Sequence, residues 1–447
     1  MGDRPIVAEL AEATPLARGA LPVRVAVICL HTSPTASLGH SANGGLNVYV
    51  REVCAAFGRH GVATDIFTRR TGADSPDIER LGPLGRVVYL PAGSPATDKY
   101  DLVAEIEPFA ERVADFAADE DATYDLIYSH YWLSGAVACT LRSWWRIPWA
   151  HTAHTLAVVK NRNLAPGDAP EPAIRELLEE EIARSADLLV VSTFAEGEAL
   201  ARTYGARADR VAVVAPGVDL QQFSNVPRFT ARRLLGLEGL RPVLFVGRLE
   251  RLKGVEIALR AFAAGAAAHD DARLLVVGGD SRARGESERA RLQAIAAELG
   301  MSGRVRFCGS VRHARLAAYY SASEALLMPS YSESFGLVGL EAQACGCPVI
   351  AADVAGLASV VRDGVTGYLV RGHDPDDYAE RLQWLLDHPE LSRQMGRRGT
   401  VLAQRFSWAR TGLRLLDAMA PLVEASGGRS AAFAPPQLRV QAGARQE

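Results

Sequence analysis

The sequence predicts an α/β protein made of two doubly wound domains that face each other across a cleft. Twelve short runs rich in β-branched residues alternate with helical patterns, and this alternation is typical of parallel sheets covered by helices on both faces. Twelve strands are too many for one ordinary open sheet. The pattern breaks between residues 216 and 241, where a polar stretch precedes a new strand, so we assign the strands to two Rossmann-like domains.

The predicted strands fall into two sets of six on either side of this break. Their ranges are 23–30, 62–69, 87–91, 124–130, 187–193 and 210–217, followed by 241–248, 273–280, 304–310, 325–331, 347–353 and 367–371. Ligands of doubly wound sheets bind beyond the carboxyl ends of the strands, so functional residues are expected in the loops that follow them.

The domain boundaries follow from the same pattern. We predict an N-terminal domain at 23–218, a linker at 219–240, a C-terminal domain at 241–406, a C-terminal helix at 407–424, and disordered tails at 1–22 and 425–447. The second tail is rich in Ala, Gly, Ser, Pro and Gln and has no amphipathic period, which is typical of segments that bury no core.

Composition excludes several classes of protein. The 447 residues carry a net charge of −3, so no basic field indicates a nucleic acid or an anionic membrane as partner. No apolar run reaches the length of a membrane span, and the N-terminus lacks the apolar stretch of a signal peptide, so a cytoplasmic location is expected. The six cysteines show no zinc spacing, and no metal site is predicted.

The loop after the first strand ends in Gly44 and Gly45, just before a predicted helix. Two glycines at a helix N-terminus allow backbone amides to approach an anion, although the pair alone is equally consistent with a flexible turn. The loop has no G-x-G-x-x-G fingerprint, which argues against the alternative of a nicotinamide-dependent dehydrogenase.

Two cations follow the first strand of the C-terminal half. In VGRLERLKG, Arg248 and Lys253 lie at the expected carboxyl edge of the sheet. Such a pair can neutralise a diphosphate and stabilise it as it departs, although an isolated pair is more often part of a solvated face.

Two glutamates flank a predicted helix start in PSYSESFGLVGLEAQA. Glu333 and Glu341 are eight residues apart, which places them on roughly one helical face, and residues 334–337 (Ser334, Phe335, Gly336 and Leu337) would open the helix. The free amides of that helix start suit a phosphate, Glu341 suits ribose hydroxyls, and Glu333 suits sugar hydroxyls. These features together predict a site for a nucleotide diphosphate sugar.

The combination of Arg248, Lys253 and the E-SFGL-…-E arrangement resembles the retaining glycosyltransferases of family 4, which have the GT-B fold. The resemblance covers residues 23–420 and sharpens in the N-terminal half, where HTSP, GGLNVYV, SHYWLSG, HTAHT and VKN occur in order. These motifs are similar to those of the actinobacterial glycosyltransferases of mycothiol biosynthesis. That family transfers N-acetylglucosamine from UDP-GlcNAc to 1D-myo-inositol 3-phosphate.

The resemblance implies a role for each matching position. The acceptor phosphate would be held by Lys99, Tyr131, Thr155 and Arg175, and two cations with two hydroxyl donors suit a phosphate monoester. His31 and Asn47 would contact the acceptor, and the backbone of Gly45 would meet the donor phosphate. His154 would lie near the transferred sugar, and the donor would otherwise be held by Arg248, Lys253, Glu333, Ser334, Phe335, Gly336, Leu337 and Glu341.

The resemblance also implies the mechanism. Retention is expected, yet no Asp or Glu is obviously placed as a nucleophile, which favours front-face substitution with Arg248, Lys253, His154 and Glu333 as the catalytic groups. No cofactor is required, with Mg²⁺ at most a non-catalytic ion. The expected partners are a UDP-sugar, a phosphorylated cyclitol or sugar, and a second copy in a homodimer.

Several positions depart from the mycothiol pattern, among them SANGGLN at the glycine loop, GGDSRARG after the 273–280 strand, and Cys347 in place of Thr. The GGDS and GSV features resemble sucrose-phosphate synthases instead. Two further hypotheses therefore stay open: a related enzyme acting on another cyclitol or on a sugar phosphate, and a GT-B-like binding protein that has lost catalysis.

Overall fold

The computed structural model describes residues 21–36, 44–72, 75–280 and 287–427. Most of the two predicted tails, 1–22 and 425–447, lies outside these ranges. The described residues form two α/β units, each built on one sheet.

The first sheet has eight strands: β1 (Arg24–Ile28), β2 (Ala63–Arg69), β3 (Ile78–Leu81), β4 (Gly85–Leu90), β5 (Leu126–His130), β6 (Trp149–Thr152), β7 (Leu188–Val191) and β8 (Val211–Val213). Their spatial order is β3-β4-β2-β1-β5-β6-β7-β8, and all neighbours are parallel except β3 and β4. The order reverses at β1, between β2 and β5, which is the position where doubly wound sheets bind ligands.

The helices of this unit connect the parallel strands. They are α1 (Gly45–Arg59), α2 (Ile106–Asp119), α3 (Trp132–Trp145), α4 (Ala157–Arg162), α5 (Ala173–Ser185) and α6 (Phe194–Tyr204). Two buried clusters, one on each face of the sheet, form the core, as expected for apolar strands covered on both sides.

The second sheet has six parallel strands: β9 (Arg241–Val246), β10 (Ala272–Val277), β11 (Val305–Gly309), β12 (Ala325–Met328), β13 (Val349–Ala352) and β14 (Gly367–Val370). Their order is β11-β10-β9-β12-β13-β14, with the reversal at β9. Its helices are α7 (Arg228–Leu235), α8 (Val255–Gly265), α9 (Glu288–Glu298), α10 (Leu316–Ala322), α11 (Leu337–Ala344), α12 (Ala355–Ala358), α13 (Pro375–Asp387) and α14 (Pro389–Ala403). Helix α15 (Trp408–Ala425) follows them in the chain.

The predicted fold class is confirmed, and a strand occurs at each of the twelve predicted positions, with bounds that differ by up to four residues at either end. Two strands were missed. Strand β3 is a half-exposed edge strand of four residues, and β6 has the sequence WAHT, which carries two polar side chains in four residues. Neither shows the continuous apolar run by which the other strands were recognised.

The segment predicted as a linker, 219–240, packs as part of the second unit. Phe223, Ala231 and Leu237 are buried, and Phe223 and Leu237 join the core of that unit. Arg228 and Arg232 of α7 form ion pairs of 2.8 and 2.6 Å with the buried Glu324.

The C-terminal helix returns to the first unit. Trp408, Leu415 and Met419 of α15 are buried in the same cluster as strand β1. The two chain crossings between the units touch closely, because a Cβ on Gly217 would lie 2.3 Å from the backbone nitrogen of Trp408. Among the described residues, no helix combines the length and the apolar character needed to cross a lipid bilayer.

The loops after β9 and β12 are locked together at the point where the second sheet reverses. The Tyr331 amide donates to the Leu252 carbonyl at 2.9 Å. Gly254 has a φ of +68°, and a Cβ there would lie 2.1 Å from the carbonyl oxygen of Pro329. Only glycine meets both requirements.

We expect Gly254→Ala to lower the free energy of unfolding by about 3 kcal/mol or more, because it adds a backbone collision to the cost of a positive φ. Gly239→Ala is the matched control. Gly239 has a φ of +73° with nothing within 4 Å of the added Cβ, so its cost should be about 1 kcal/mol. Urea denaturation of both variants measures the difference. An equal loss of free energy of unfolding in the two variants would show that the backbone at Pro329 moves to accommodate the added Cβ.

Candidate functional site

The carboxyl ends of the two sheets meet at the start of helices α1 and α11. A Cβ on Gly45 would lie 3.3 Å from the side chain of Leu337, so the two helix N-termini are in contact across the cleft. The Ser334 hydroxyl also donates to the backbone carbonyl of His154, which follows β6. Free amides from both units therefore border one space, an arrangement that favours an anion.

The side of the cleft predicted to bind the donor has paired charges in the loops after β9 and β12. Arg248 lies 2.7 Å from Glu250, and Lys253 Nζ donates to Glu333 at 2.7 Å. All four side chains are partly exposed. An entering diphosphate can replace the two carboxylates as partner of the cations, because the pairs are accessible and not buried.

Glu333 and Glu341 do not share a helix face, contrary to the sequence prediction. Helix α11 begins at Leu337, after Gly336 with a φ of +100°, so Glu333 lies in the preceding loop. Glu341 is on the helix and is buried, with its oxygens 2.7 Å from His313 Nε2 and 2.9 Å from the Tyr320 hydroxyl. The glycine breaks the helical path that the spacing of eight residues assumed.

The side of the cleft predicted to bind the acceptor is organised by Arg175 of α5, which is fully buried. Its Nε donates to Glu179 at 2.7 Å, Nη1 donates to the Tyr131 hydroxyl at 3.2 Å, and Nη2 donates to the carbonyl and the hydroxyl of Thr155 at 2.9 Å. The structure thus brings together Arg175, Tyr131 and Thr155, three of the four residues predicted for the acceptor phosphate.

Lys99, the fourth, is partly buried nearby. Its ammonium lies 4.6 Å from the ring centroid of Tyr100. Burial lowers the pKa of Lys99, and the negative charge of Glu171 opposes that effect. The charges of Arg248 and Glu250 in the second unit also act on the pKa of Lys99, Arg248 lowering it and Glu250 raising it.

Sequence reasoning missed Glu171 and Lys160. Glu171 precedes α5 and is 7% exposed, with Oε2 lying 2.9 Å from Arg175 Nη1 and accepting a hydrogen bond from the Tyr100 hydroxyl at 2.8 Å. Its other oxygen pairs with Lys160. Burial acts to raise its pKa, but Arg175, Lys99 and Lys160 outweigh burial and hold the pKa at about 2. Lys160 lies in the VKN motif, which was the available signal.

The side chain of Asn47 makes hydrogen bonds within the loop that precedes α1. Its amide nitrogen donates to the Thr32 hydroxyl at 2.7 Å and to the Ser33 carbonyl at 2.5 Å, and its oxygen accepts from the Gly44 amide at 2.9 Å. Both amide hydrogens are therefore used. In this structure the residue fixes the start of α1, and the predicted contact with an acceptor hydroxyl stays a prediction.

Four histidines lie in or just after strands β1, β5 and β6 of the first sheet: His31, His130, His151 and His154. His31 packs on the Tyr131 ring at 4.4 Å between centroids, and His154 Nε2 lies 3.0 Å from His130 Nδ1. Burial lowers the pKa of His31, His151 and His154 to about 3 and that of His130 well below its usual range. All four are neutral near pH 7, so His154 can exchange hydrogen bonds with a sugar but adds no charge.

Strained backbone marks the same edge. Tyr131 and His154 have φ of +77° and +61°, a backbone conformation that residues other than glycine rarely adopt. Tyr131 directly follows β5, and His154 is the second residue after β6. Strain of this kind costs on the order of 1–3 kcal/mol per residue and is typical of sites where side-chain position matters.

Comparison with known proteins identifies the family. The family described as "Glycosyl transferases group 1" matches residues 230–401, and the "Glycosyl transferase 4-like domain" matches residues 44–217. The chain belongs to the family 4-like, group 1 glycosyltransferases. The two matches coincide with the two α/β units.

Individual relatives cover most of the chain. It is 44% identical over 416 residues to a D-inositol 3-phosphate glycosyltransferase of Nocardia farcinica, covering 92% of both chains. The corresponding protein of Rhodococcus opacus is also 44% identical, over 90% of this chain and 91% of the relative.

Solved structures share the GT-B fold. A sucrose-phosphate synthase of Thermosynechococcus elongatus has a TM-score of 0.83 at 34% identity, covering 90% of this chain and 99% of that protein. The HepE protein of Anabaena, in complex with UDP and glucose, has a TM-score of 0.71 at 19% identity, covering 89% of this chain and 100% of that one.

The neutral histidines make stability depend on pH. Their folded pKa lies below the unfolded value of about 6.5, so the unfolded chain alone takes up these protons as the pH falls from 6.5. We expect the free energy of unfolding to be level above pH 7 and to decline from pH 6.5 to 5, by up to about 1.4 kcal/mol per pH unit for each histidine.

Urea denaturation at a series of pH values measures this slope. His151→Asn should make the slope of the free energy of unfolding against pH shallower by the contribution of one histidine. A free energy of unfolding that is unchanged between pH 7 and pH 5 would contradict the prediction.

Proposed function

We propose that this glycosyltransferase moves N-acetylglucosamine from UDP-GlcNAc to 1D-myo-inositol 3-phosphate with retention at the anomeric carbon. The observation that carries the proposal is the presence of two cationic groups on opposite sides of one cleft. Arg248 and Lys253 lie on one side, and Lys99, Lys160 and Arg175 lie on the other. Two separate sets of cations suit a reaction in which donor and acceptor each carry phosphate.

The donor assignment is supported by the second unit. Arg248, Lys253 and the free amides at the start of α11 converge where the order of the second sheet reverses. They can stabilise the charge that grows on a departing UDP. One neighbour in fold, the HepE protein of Anabaena, is described in complex with UDP and glucose and with UDP-glucose, which supports a uridine nucleotide.

The acceptor assignment is supported by the first unit and by the relatives. Tyr131, Thr155 and Arg175 meet at the ends of β5 and β6, with Lys99 beside them. The relatives that share 44% identity are named for D-inositol 3-phosphate.

Front-face substitution suits this arrangement. Glu333 lies in the loop after β12 beside Lys253, and we assign it to the hydroxyls of the donor sugar and not to nucleophilic attack. In the proposed reaction the bond from the anomeric carbon to UDP breaks, and a diphosphate oxygen takes the proton of the attacking inositol hydroxyl. Arg248 and Lys253 stabilise the diphosphate, neutral His154 positions the sugar, and no metal ion is required.

A sugar phosphate is the second candidate acceptor. The similarity to sucrose-phosphate synthase, at 34% identity and a TM-score of 0.83, favours it, as do the GGDS and GSV features. The cationic group around Arg175 would bind the phosphate of either acceptor, so discrimination between inositol 3-phosphate and a sugar phosphate depends on contacts with the ring of the acceptor.

A donor-by-acceptor screen tests the proposal. UDP-GlcNAc and UDP-glucose are combined in turn with inositol 3-phosphate, unphosphorylated inositol and fructose 6-phosphate, and UDP release is measured. We expect the highest kcat/KM for UDP-GlcNAc with inositol 3-phosphate. Faster turnover of fructose 6-phosphate would favour the second candidate, and no release with any pair would support a binding protein without catalysis.

Two lysine variants separate the two sides of the cleft. Lys99→Met should raise the KM for the acceptor about tenfold with little change in the KM for the donor, because it removes one phosphate contact. Lys253→Met should lower kcat by about a hundredfold, because it removes a cation from the leaving diphosphate. Steady-state kinetics with both substrates varied distinguishes them, and identical profiles would contradict the assignment of sides.

The homodimer and the cytoplasmic location implied by the resemblance stay predictions. Light scattering of the purified chain measures its molar mass and so tests whether it forms a homodimer.

A further inference from the structure

Four N–H groups of Arg175 donate hydrogen bonds within the protein, and the carboxylate of Glu171 lies beside the nitrogen that carries the fifth. A guanidinium carries five N–H donors. One points to Glu179, two to Thr155 and one to Tyr131, and Glu171 Oε2 lies 2.9 Å from Nη1, which carries the fifth. The residue is also 0% exposed, so a phosphate can reach it only by replacing one of these partners.

The two carboxylates that contact Arg175 are held very differently. Glu179 lies within α5 and also accepts hydrogen bonds from the Ala157 amide and the Tyr204 hydroxyl, each at 2.8 Å, so it is tied to the packing of the unit. The carboxylate of Glu171, in contrast, contacts Arg175, Lys160 and the Tyr100 hydroxyl. These are cations and a hydroxyl donor, the groups that would bind a phosphate.

We propose that the Glu171 carboxylate occupies the position of the acceptor phosphate and leaves it when the acceptor binds, so that Glu171 competes with the phosphate and sets the affinity for it. The inference rests on the proposed phosphorylated acceptor. The exchange replaces one negative charge by the two of a phosphate monoester at the same cations. The electrostatic attraction between a phosphate dianion and Arg175, Lys160 and Lys99 exceeds the attraction that is lost when the carboxylate moves into water. A singly charged or uncharged acceptor group does not gain enough attraction to displace the carboxylate.

The position of Glu171 in the chain permits this exchange. The residue lies in the segment between α4 and α5, and its backbone amide donates to the Asn161 side chain at 2.7 Å. The backbone can therefore remain anchored while the carboxylate rotates away. The hydroxyls of Tyr131 and Thr155 remain at Arg175 and add two donors for the incoming phosphate.

Phosphate binding to the full chain tests the proposal without depending on catalysis. Isothermal titration calorimetry with inorganic phosphate compares the native protein with Glu171→Gln, which removes the competing charge. We expect the variant to bind phosphate about tenfold more tightly, and its KM for inositol 3-phosphate to fall in parallel. The KM for unphosphorylated inositol should not change.

Glu176→Gln is the matched control. Glu176 lies close to Glu171 in the sequence but accepts from the Asn161 amide at 2.7 Å and not from the cationic group, so this variant should bind phosphate like the native protein. Weaker phosphate binding by Glu171→Gln, or no change, would overturn the proposal, since it would show that the carboxylate only positions the cations.

Glu171→Asp covers the case in which the glutamine variant fails to fold. It keeps the charge but withdraws the carboxylate by one methylene, and we expect phosphate affinity between those of the native protein and the glutamine variant. An aspartate variant that binds phosphate more weakly than the native protein would count against the exchange. If phosphate binding follows the expectation while no sugar is transferred, the exchange stands and the proposed reaction fails.

Discussion

The buried guanidinium of Arg175 is the constraint on which the acceptor half of the cleft depends. A cation removed from water must be surrounded by acceptors and counter-charges, because leaving it unpaired costs about 3–5 kcal/mol. Glu179, Tyr131 and Thr155 meet that demand, and in doing so they fix the ends of β5 and β6 relative to α5. The strained backbone of Tyr131 persists because these contacts hold it.

The donor half follows a different electrostatic design. Its cations are partly exposed and are paired one to one with Glu250 and Glu333, so a diphosphate can exchange with the carboxylates at low cost. On the acceptor side the exchange is confined to one carboxylate, Glu171, because the other belongs to the packing of α5. If the proposals hold, the donor site exchanges its carboxylates readily, whereas at the acceptor site a single carboxylate competes with the phosphate.

Much of the fold could be predicted from the sequence because buried parallel strands are continuous apolar runs. Strands β3 and β6 lack that signal, and the linker prediction failed to anticipate that Phe223 and Leu237 enter the second core. The spacing of Glu333 and Glu341 was interpreted as one helix face, but Gly336 starts the helix after Glu333. Periodicity describes a continuous helix and contains no information about where a glycine interrupts it.

The sequence by itself determined the fold class and the residue types at the ends of the strands, since both depend on local patterns of apolar, glycine and charged residues. The tertiary structure alone decided which charges are partners. Glu171 and Lys160 are eleven residues apart and Arg248 and Lys99 lie in different domains, yet all act within one cleft. Electrostatic interactions depend on distance and burial in space, and neither can be obtained from separation along the chain.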